Sequence, residues 1–188
     1  APVEYVEVAP IASLSDTSRT ADYNPNKNAY FGDLHIHTSW SFDAFIYNVR
    51  TTPDDAYRHG KGESIPHVSG TNVQRNHPLD FMAVTDHAEY LGVMMQLGDK
   101  TNPLSKLDFA QKINSSDPEV AKKSFGTLGR GIALNRPDPE LIKTEILQNT
   151  WKKNIEIADK HYQPGKFTTF AGYEWTSSQG VMLASPQY

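Results

Sequence analysis

The sequence predicts an α/β domain built around a small parallel sheet. Three short apolar runs, at about 30–37, 79–85 and 167–173, have the composition of buried strands, and helical segments separate them. Strands that alternate with helices favour parallel pairing. The chain has 188 residues, of which 38% are hydrophobic and 11% aromatic. It is therefore long enough to form one domain with a substantial core.

Local signals place the elements of the first half. Residues 1–29 are mostly polar after a short apolar start, and we expect them to form an N-terminal arm. Thr52-Pro53-Asp54-Asp55 begins a helix over about 53–59, because Thr is a good N-cap, Pro suits the first turn and acids favour the positive end of the helix dipole. Gly60 ends this helix. The segments on either side, 38–50 and 61–78, are predicted loops.

The second half holds two further helical predictions and a long connection. Residues 88–97 are predicted to be helical. Residues 98–140 are too long for a simple crossover, so we interpret them as an insertion in a domain that spans 30–188. The longest helix is predicted over 139–162. Helical spacing gives it a buried stripe of Leu147, Trp151, Ile155, Ala158 and Tyr162.

Charge and composition exclude several classes of function. The net charge is −4 and there is no long basic run, so binding to nucleic acid is not expected. The chain has no cysteine, which rules out thiolate metal sites, disulfides and a cysteine nucleophile. No stretch of ~20 apolar residues is present to span a membrane. The start Ala1-Pro2-Val3 is compatible with signal-peptide removal; we expect a periplasmic or secreted protein, with the cytoplasm as the alternative.

Residues that commonly bind metals stand at the end of each predicted strand. His35 and His37 share one face if the first strand continues through them, because side chains alternate along a strand. Asp86-His87 ends the second strand and Glu174 ends the third. The carboxyl ends of parallel strands meet at one edge, where enzyme sites are usually built. We therefore predict a metal site there, with imidazoles that suit Zn, Mn or Fe.

These motifs resemble those of a known family. Tyr30-Phe31-Gly32-Asp33-Leu34-His35-Ile36-His37-Thr38, the stretch from Pro78 to Gly92, and Gly172-Tyr173-Glu174-Trp175-Thr176 are similar to the first signatures of the PHP (polymerase and histidinol phosphatase) superfamily. The motifs are similar to those of a poorly characterised bacterial branch of this superfamily, whose members are often exported. The resemblance implies the N-terminal portion, about three βα units, of a distorted (β/α)₇ barrel that holds up to three divalent ions.

The resemblance also implies roles for individual residues. His35 and His37 would bind the first ion, Glu174 would bridge two ions, and Asp43 and His87 would help to hold another. His35, His37 and Glu174 would thus carry the catalytic centre. Asp33 and Asp86 would orient imidazoles or backbone around it. The implied reaction is hydrolysis of a small phosphorylated substrate, or another ester, by a metal-activated hydroxide.

Four further residues are candidates for substrate contact. Arg50 and Arg75 carry guanidinium groups that bind phosphate in a bidentate manner, although a surface ion pair is the simpler role for each. Trp40 and Trp175 flank the motifs and would line a pocket if they are not packed in the core.

Two alternatives to the hydrolase remain open at this point. One is a nuclease-like activity on nucleic acid, which the acidic charge balance disfavours. The other is a metal-binding fragment that is catalytically incomplete. The family takes further ligands from later strands, whereas no His or Asp follows Glu174 in this sequence. The expected partner is therefore the remaining, C-terminal part of the same barrel.

Overall fold

The structure, a computed structural model, describes residues 27–134 and 136–176. Most of the predicted N-terminal arm, and the last residues of the predicted domain from 177 onward, lie outside this part. The described residues form a mixed α/β fold with six α-helices and a three-stranded parallel sheet, and they do not form a closed barrel. The prediction of an α/β fold with a parallel sheet is confirmed. The elements are β1 (Gly32–Asp33), α1 (Phe42–Ile46), α2 (Pro53–Gly60), β2 (Ile65–Pro66), β3 (Asn72–Val73), β4 (Phe81–Val84), α3 (Val93–Gly98), α4 (Asp108–Ile113), α5 (Pro118–Ala133), α6 (Thr144–His161) and β5 (Thr168–Ala171).

The parallel sheet has the order β1-β4-β5, so β4 lies in the centre. Phe81 at the start of β4 pairs with Gly32 of β1 on one side and with Thr168 of β5 on the other. All three strands run in the same direction. Their carboxyl ends therefore lie at one edge of the sheet, and the segments that follow them are neighbours.

The first strand is much shorter than predicted. Only Gly32 and Asp33 pair as a strand, and the backbone leaves the ladder before the two histidines. The carboxylate of Asp33 accepts the backbone N–H of His35 at 3.0 Å, a local bond that competes with the strand ladder. The chain still follows β4, because the Ile36 carbonyl accepts the N–H of Thr85 at 2.8 Å.

Helix α2 begins and ends as the sequence predicts. The Thr52 hydroxyl accepts the N–H of Asp55 at 3.3 Å, and the Asp55 carboxylate accepts the N–H of Thr52 at 2.9 Å, which is a complete capping box. Helices α2 and α6 cover one face of the sheet. Their side chains form a hydrophobic cluster with the strands, made of Tyr57, Met82, Val84, Ala158 and Phe167.

Two predicted helices begin later than expected. Helix α3 begins at Val93 rather than near 88, because Gly92 adopts a left-handed backbone with φ of 69° and the preceding residues form turns. Helix α6 begins at Thr144 rather than 139. The predicted stripe of α6 is also wrong in part: Ala158 is buried, but Tyr162 is half exposed. The buried positions of α6 are Thr150, Asn154, Ala158 and His161.

The segment 98–140 is part of the core. It holds α4, α5 and a 3₁₀ turn over Pro103–Lys106, and their apolar side chains join α1 and α3 in the larger of two hydrophobic clusters. The deeply buried members of that cluster include Phe45, Val93, Met94, Leu128 and Leu141.

Both predicted loops contain regular structure. Residues 38–50 include the short helix α1, and residues 61–78 include the antiparallel pair β2–β3. No helix in the ranges that the structure describes is long and apolar enough to cross a membrane.

Candidate metal centre

The two histidines of the first motif lie side by side just beyond the end of β1. The ring centroids of His35 and His37 are 5.1 Å apart. Strand alternation does not place them, since neither residue belongs to the strand. Their position depends instead on Thr85, whose hydroxyl accepts the N–H of the intervening Ile36 at 3.1 Å.

Glu174 reaches both histidines from the end of β5. Its backbone forms a parallel bridge with His87, which extends the pairing of β4 with β5 past the last regular residues. One carboxylate oxygen, Oε2, lies 2.8 Å from His35 Nε2 and 2.7 Å from His37 Nε2. These three residues form a group whose donor atoms could hold one metal ion.

A second group lies next to the first and shares His37. Asp43, in the first turn of α1, has its Oδ2 atom 3.0 Å from His37 Nδ1 and 3.8 Å from His87 Nε2. The rings of His37 and His87 are 4.9 Å apart. His37, Asp43 and His87 therefore form another group with ligand atoms close enough for one ion.

The cluster opens to solvent on one side. The side chain of His35 is 76% exposed, whereas those of His37 and His87 are 17% and 14% exposed. A solute can therefore reach the His35 end while the second group remains shielded. The donors are imidazole nitrogens and carboxylate oxygens without any thiolate, a set that fits divalent transition metals.

Hydrogen bonds and nearby charges favour the ionised forms of Asp43 and Glu174 and the protonated form of His87. Partial burial works to raise the pKa of Asp43, but hydrogen bonds from Ser41, Ala44 and His37 outweigh it and lower that pKa. The pKa of Glu174 is also lowered, since His37, His87 and His35 together outweigh its burial. Burial works to lower the pKa of His87, yet Glu89, Asp43 and Glu174 raise it overall. Such a cluster attracts positive charge, and a cation would replace the protons that it binds.

Two aspartates shape the backbone around the cluster. Asp33 accepts the N–H of His35, as described above. Asp86 is buried at the end of β4, and its carboxylate accepts both the N–H and the hydroxyl of Thr38. Burial raises the pKa of Asp86 to about 6. Neither aspartate belongs to the two groups that could hold an ion.

The candidate substrate-contact residues are mostly engaged elsewhere. Arg50 donates to the carbonyls of Phe45 and Val49 and lies over the Phe45 ring, and Arg75 donates to the His77 carbonyl. Trp40 is buried and lines a cleft of about 490 Å³ between α3 and α6, which no cluster residue lines. Only Trp175 is both exposed, at 61%, and next to a cluster residue in sequence.

The sequence did not single out three residues that contact the cluster. The Ser41 hydroxyl donates to Asp43 and accepts the N–H of His87. Glu89 and Thr176 lie close to His87 Nδ1. Glu89 carried one usable signal: it is the acidic residue within the apolar run Ala88-Glu89-Tyr90-Leu91, where a solvated charge is out of place.

Fold and site together define a mixed α/β protein with a candidate His/Asp/Glu metal centre at the carboxyl edge of a parallel sheet. A comparison with family models matches residues 24–183 to the family described as "Protein of unknown function (DUF3604)". The chain belongs to this family. Searches of curated proteins and of solved structures gave no match.

Proposed function

We propose that this protein is a metal-dependent hydrolase of the phosphoesterase type, similar to enzymes of the PHP superfamily. One observation carries the proposal. Five residues for which the resemblance implies metal binding come from four separate segments of the chain and meet in one cluster: His35, His37, Asp43, His87 and Glu174.

The proposed ions are Zn, Mn or Fe, held in the two overlapping groups. His35, His37 and Glu174 would hold one ion, and Asp43 and His87 would help to hold another; the neutral ring of His37 can bind only one of the two ions. A pair of bound divalent ions supplies an activated water at neutral pH and electrostatic stabilisation of a phosphoryl group. Glu174 is the proposed bridge, because its Oε2 atom contacts the first group while its Oε1 atom lies 3.9 Å from His87.

Substrate binding would depend mainly on the metal centre. Within the described residues, no lysine or arginine forms an ion pair with the cluster. A phosphorylated or other ester substrate would therefore bind chiefly at the metal centre, with the exposed Trp175 at its margin. Because the site is open to solvent at His35, it favours an ester group that is small or that protrudes from a larger molecule.

Uncovered apolar surface supports a larger catalytic unit. Among the described residues, β5 pairs on one side only, and Phe31 and Phe170 are 70% and 48% exposed. Unpaired strand edges and exposed aromatics are usually covered in working enzymes. We propose that further polypeptide of the same barrel pairs with the open edge of β5, covers exposed aromatic side chains such as Phe170, and completes the site.

The test uses metal-depleted protein reloaded separately with zinc, manganese or iron. Hydrolysis of a phosphomonoester and of a phosphodiester is measured for the wild type, His37→Ala and a matched control, His67→Ala, which changes an exposed histidine of the β2–β3 hairpin. We expect the loaded wild type and the control to hydrolyse one of these esters and His37→Ala to lose turnover while keeping its circular dichroism spectrum. Turnover by His37→Ala at undiminished rate would contradict the proposal.

A further inference from the structure

Glu89 is a carboxylate in a place where carboxylates are rare. Its side chain is 4% exposed, and its sequence neighbours Ala88, Tyr90 and Leu91 are also buried. A charged group in such surroundings needs a compensating partner. Within the described residues, however, no lysine or arginine forms an ion pair with it. Neither helix capping nor a surface salt bridge explains this carboxylate.

The polar neighbours of Glu89 belong to the metal centre. Its Oε2 atom lies 3.6 Å from His87 Nδ1 and accepts the hydroxyl of Thr176 at 3.3 Å. The same hydroxyl lies 3.4 Å from His87 Nδ1. Since a hydroxyl can accept one hydrogen bond while it donates another, Thr176 can link the ring N–H to the carboxylate.

The opposite side of the His87 ring faces the second group. His87 Nε2 points toward Asp43, 3.8 Å from Oδ2, and the Phe42 ring flanks the imidazole at a centroid distance of 4.8 Å. The ring is thus held between an acceptor pair on its Nδ1 side and a candidate ligand on its Nε2 side. A histidine that binds a metal through one nitrogen usually donates the other N–H to a carboxylate, carbonyl or water.

We infer that Glu89 is a positioning residue of the metal centre, acting with Thr176. It keeps the proton of His87 on Nδ1, and it thereby presents the Nε2 lone pair to an ion held with Asp43 and His37. This inference rests on the metal centre of the proposed function, but it does not depend on which ester is hydrolysed. It gives a role to a buried charge that the two candidate groups do not include.

The first test determines which ring nitrogen of His87 is protonated and which binds the metal. Long-range ¹H–¹⁵N spectra of the zinc-loaded 188-residue chain distinguish a protonated nitrogen from a metal-bound one, and the signals of His87 are assigned by their loss in His87→Gln. We expect Nδ1 to carry the proton and Nε2 to bind zinc. A His87 signal with the proton on Nε2 and zinc on Nδ1 would overturn the inference, because the ion would then occupy the side of the ring that faces Glu89 and Thr176.

The second test measures zinc affinity by competition with a chromophoric chelator. Glu89→Ala and Thr176→Val should each weaken binding of one ion by about 10- to 100-fold, the usual effect of removing such a partner. Glu89→Gln keeps an acceptor oxygen and should recover part of the loss. Glu140→Gln removes an equal charge from an exposed position paired with Lys143 and should leave affinity unchanged.

Both tests separate this inference from the proposed function. Unchanged zinc affinity in folded Glu89→Ala and Thr176→Val would overturn the inference even if the protein hydrolyses esters. Conversely, a His87 ring protonated on Nδ1 together with weakened affinity in the variants would support it even if no ester is cleaved. If Glu89→Ala fails to fold, Thr176→Val and the wild-type spectra still decide.

Discussion

Thr38 and Asp86 are 48 residues apart in sequence, and their side chains are hydrogen-bonded in the interior. The Thr38 hydroxyl donates to one carboxylate oxygen of Asp86 at 2.8 Å, and the Thr38 backbone N–H donates to the other. Thr38 follows His37 directly, and Asp86 precedes His87. This pair therefore fixes two candidate ligands from different segments relative to one another.

Loss of the Thr38 hydroxyl should destabilise the fold. Thr38→Val keeps the shape of the side chain but leaves a buried oxygen of Asp86 without a donor, at a cost of about 1–3 kcal/mol. Urea denaturation of metal-free protein measures this change. The control is Thr101→Val, which removes an equivalent bond from the exposed Thr101 to Asp99. We expect a change below about 0.5 kcal/mol there, and equal effects in the two variants would contradict a special role for the buried pair.

Metal stoichiometry should follow the two overlapping groups. If the cluster holds two ions, His35→Ala and Asp43→Ala should each lose about one equivalent of zinc, and the double variant should lose about two. The reason is that His35 and Asp43 belong to different groups. Elemental analysis after dialysis gives the counts, with His67→Ala as the control. Loss of all zinc in either single variant would show that the groups are not separate.

Stability should depend on pH through Asp54. This residue of α2 accepts the ammonium of Lys160 at 2.6 Å and His161 Nε2 at 2.9 Å, and the Lys160 hydrogen bond is the main cause of its lowered pKa. A lowered pKa in the folded state means that the stabilisation is present above the unfolded pKa of about 4. It is lost as the pH falls through the folded pKa.

The corresponding measurement compares wild type with Asp54→Asn by urea denaturation between neutral and acidic pH. The difference in unfolding free energy should be about 1 kcal/mol or less near neutrality, as is usual for partly exposed pairs, and should shrink on acidification below about pH 4. Asp159→Asn, which removes a charge from an exposed position of α6, is the control. If the difference in unfolding free energy between wild type and Asp54→Asn instead grew on acidification, the assigned role of Asp54 would be contradicted.

The segment 98–140 should be essential for folding. Leu128 of α5 is 3% exposed in the larger hydrophobic cluster, and Leu128→Ala should cost about 2–5 kcal/mol of unfolding free energy. Leu134→Ala removes the same atoms from a half-exposed position just after α5 and should cost much less. Thermal denaturation of both variants measures this difference, and a harmless Leu128→Ala would contradict the packing of α5 into the core.

The sequence predicted the sheet and the α2 helix well because their signals are local. Thr52-Pro53-Asp54-Asp55 contains a complete capping box, and the apolar run before Asp86 leaves little choice but a buried strand. The extent of β1 could not be read in this way. The Asp33 carboxylate accepts the N–H of His35 in a local bond, and the hydroxyl of the distant Thr85 accepts the N–H of Ile36, so bonds to side chains replace the ladder.

Tertiary packing decided the features that the sequence missed. The buried face of α6 differs from the predicted stripe because polar residues occupy part of it. Asn154 donates to the Gly172 carbonyl, and His161 pairs with Asp54. The ligand-type residues were identifiable from their motifs. Their partners Ser41 and Thr176 were not, because each contacts His87, which only the folded chain brings near. Glu89 was identifiable only as an acidic residue within an apolar run.

The separation of the ligand residues along the chain links ion uptake to folding. Apart from His35, His37 and Asp43, which are close in sequence, the side chains of the cluster approach one another only after segments up to 139 residues apart have packed. An unfolded chain would have to close that large loop before it could chelate an ion, and closure is entropically costly. A divalent ion should therefore bind the native state far more strongly, so that cellular metal supply would tune how long the folded molecule survives.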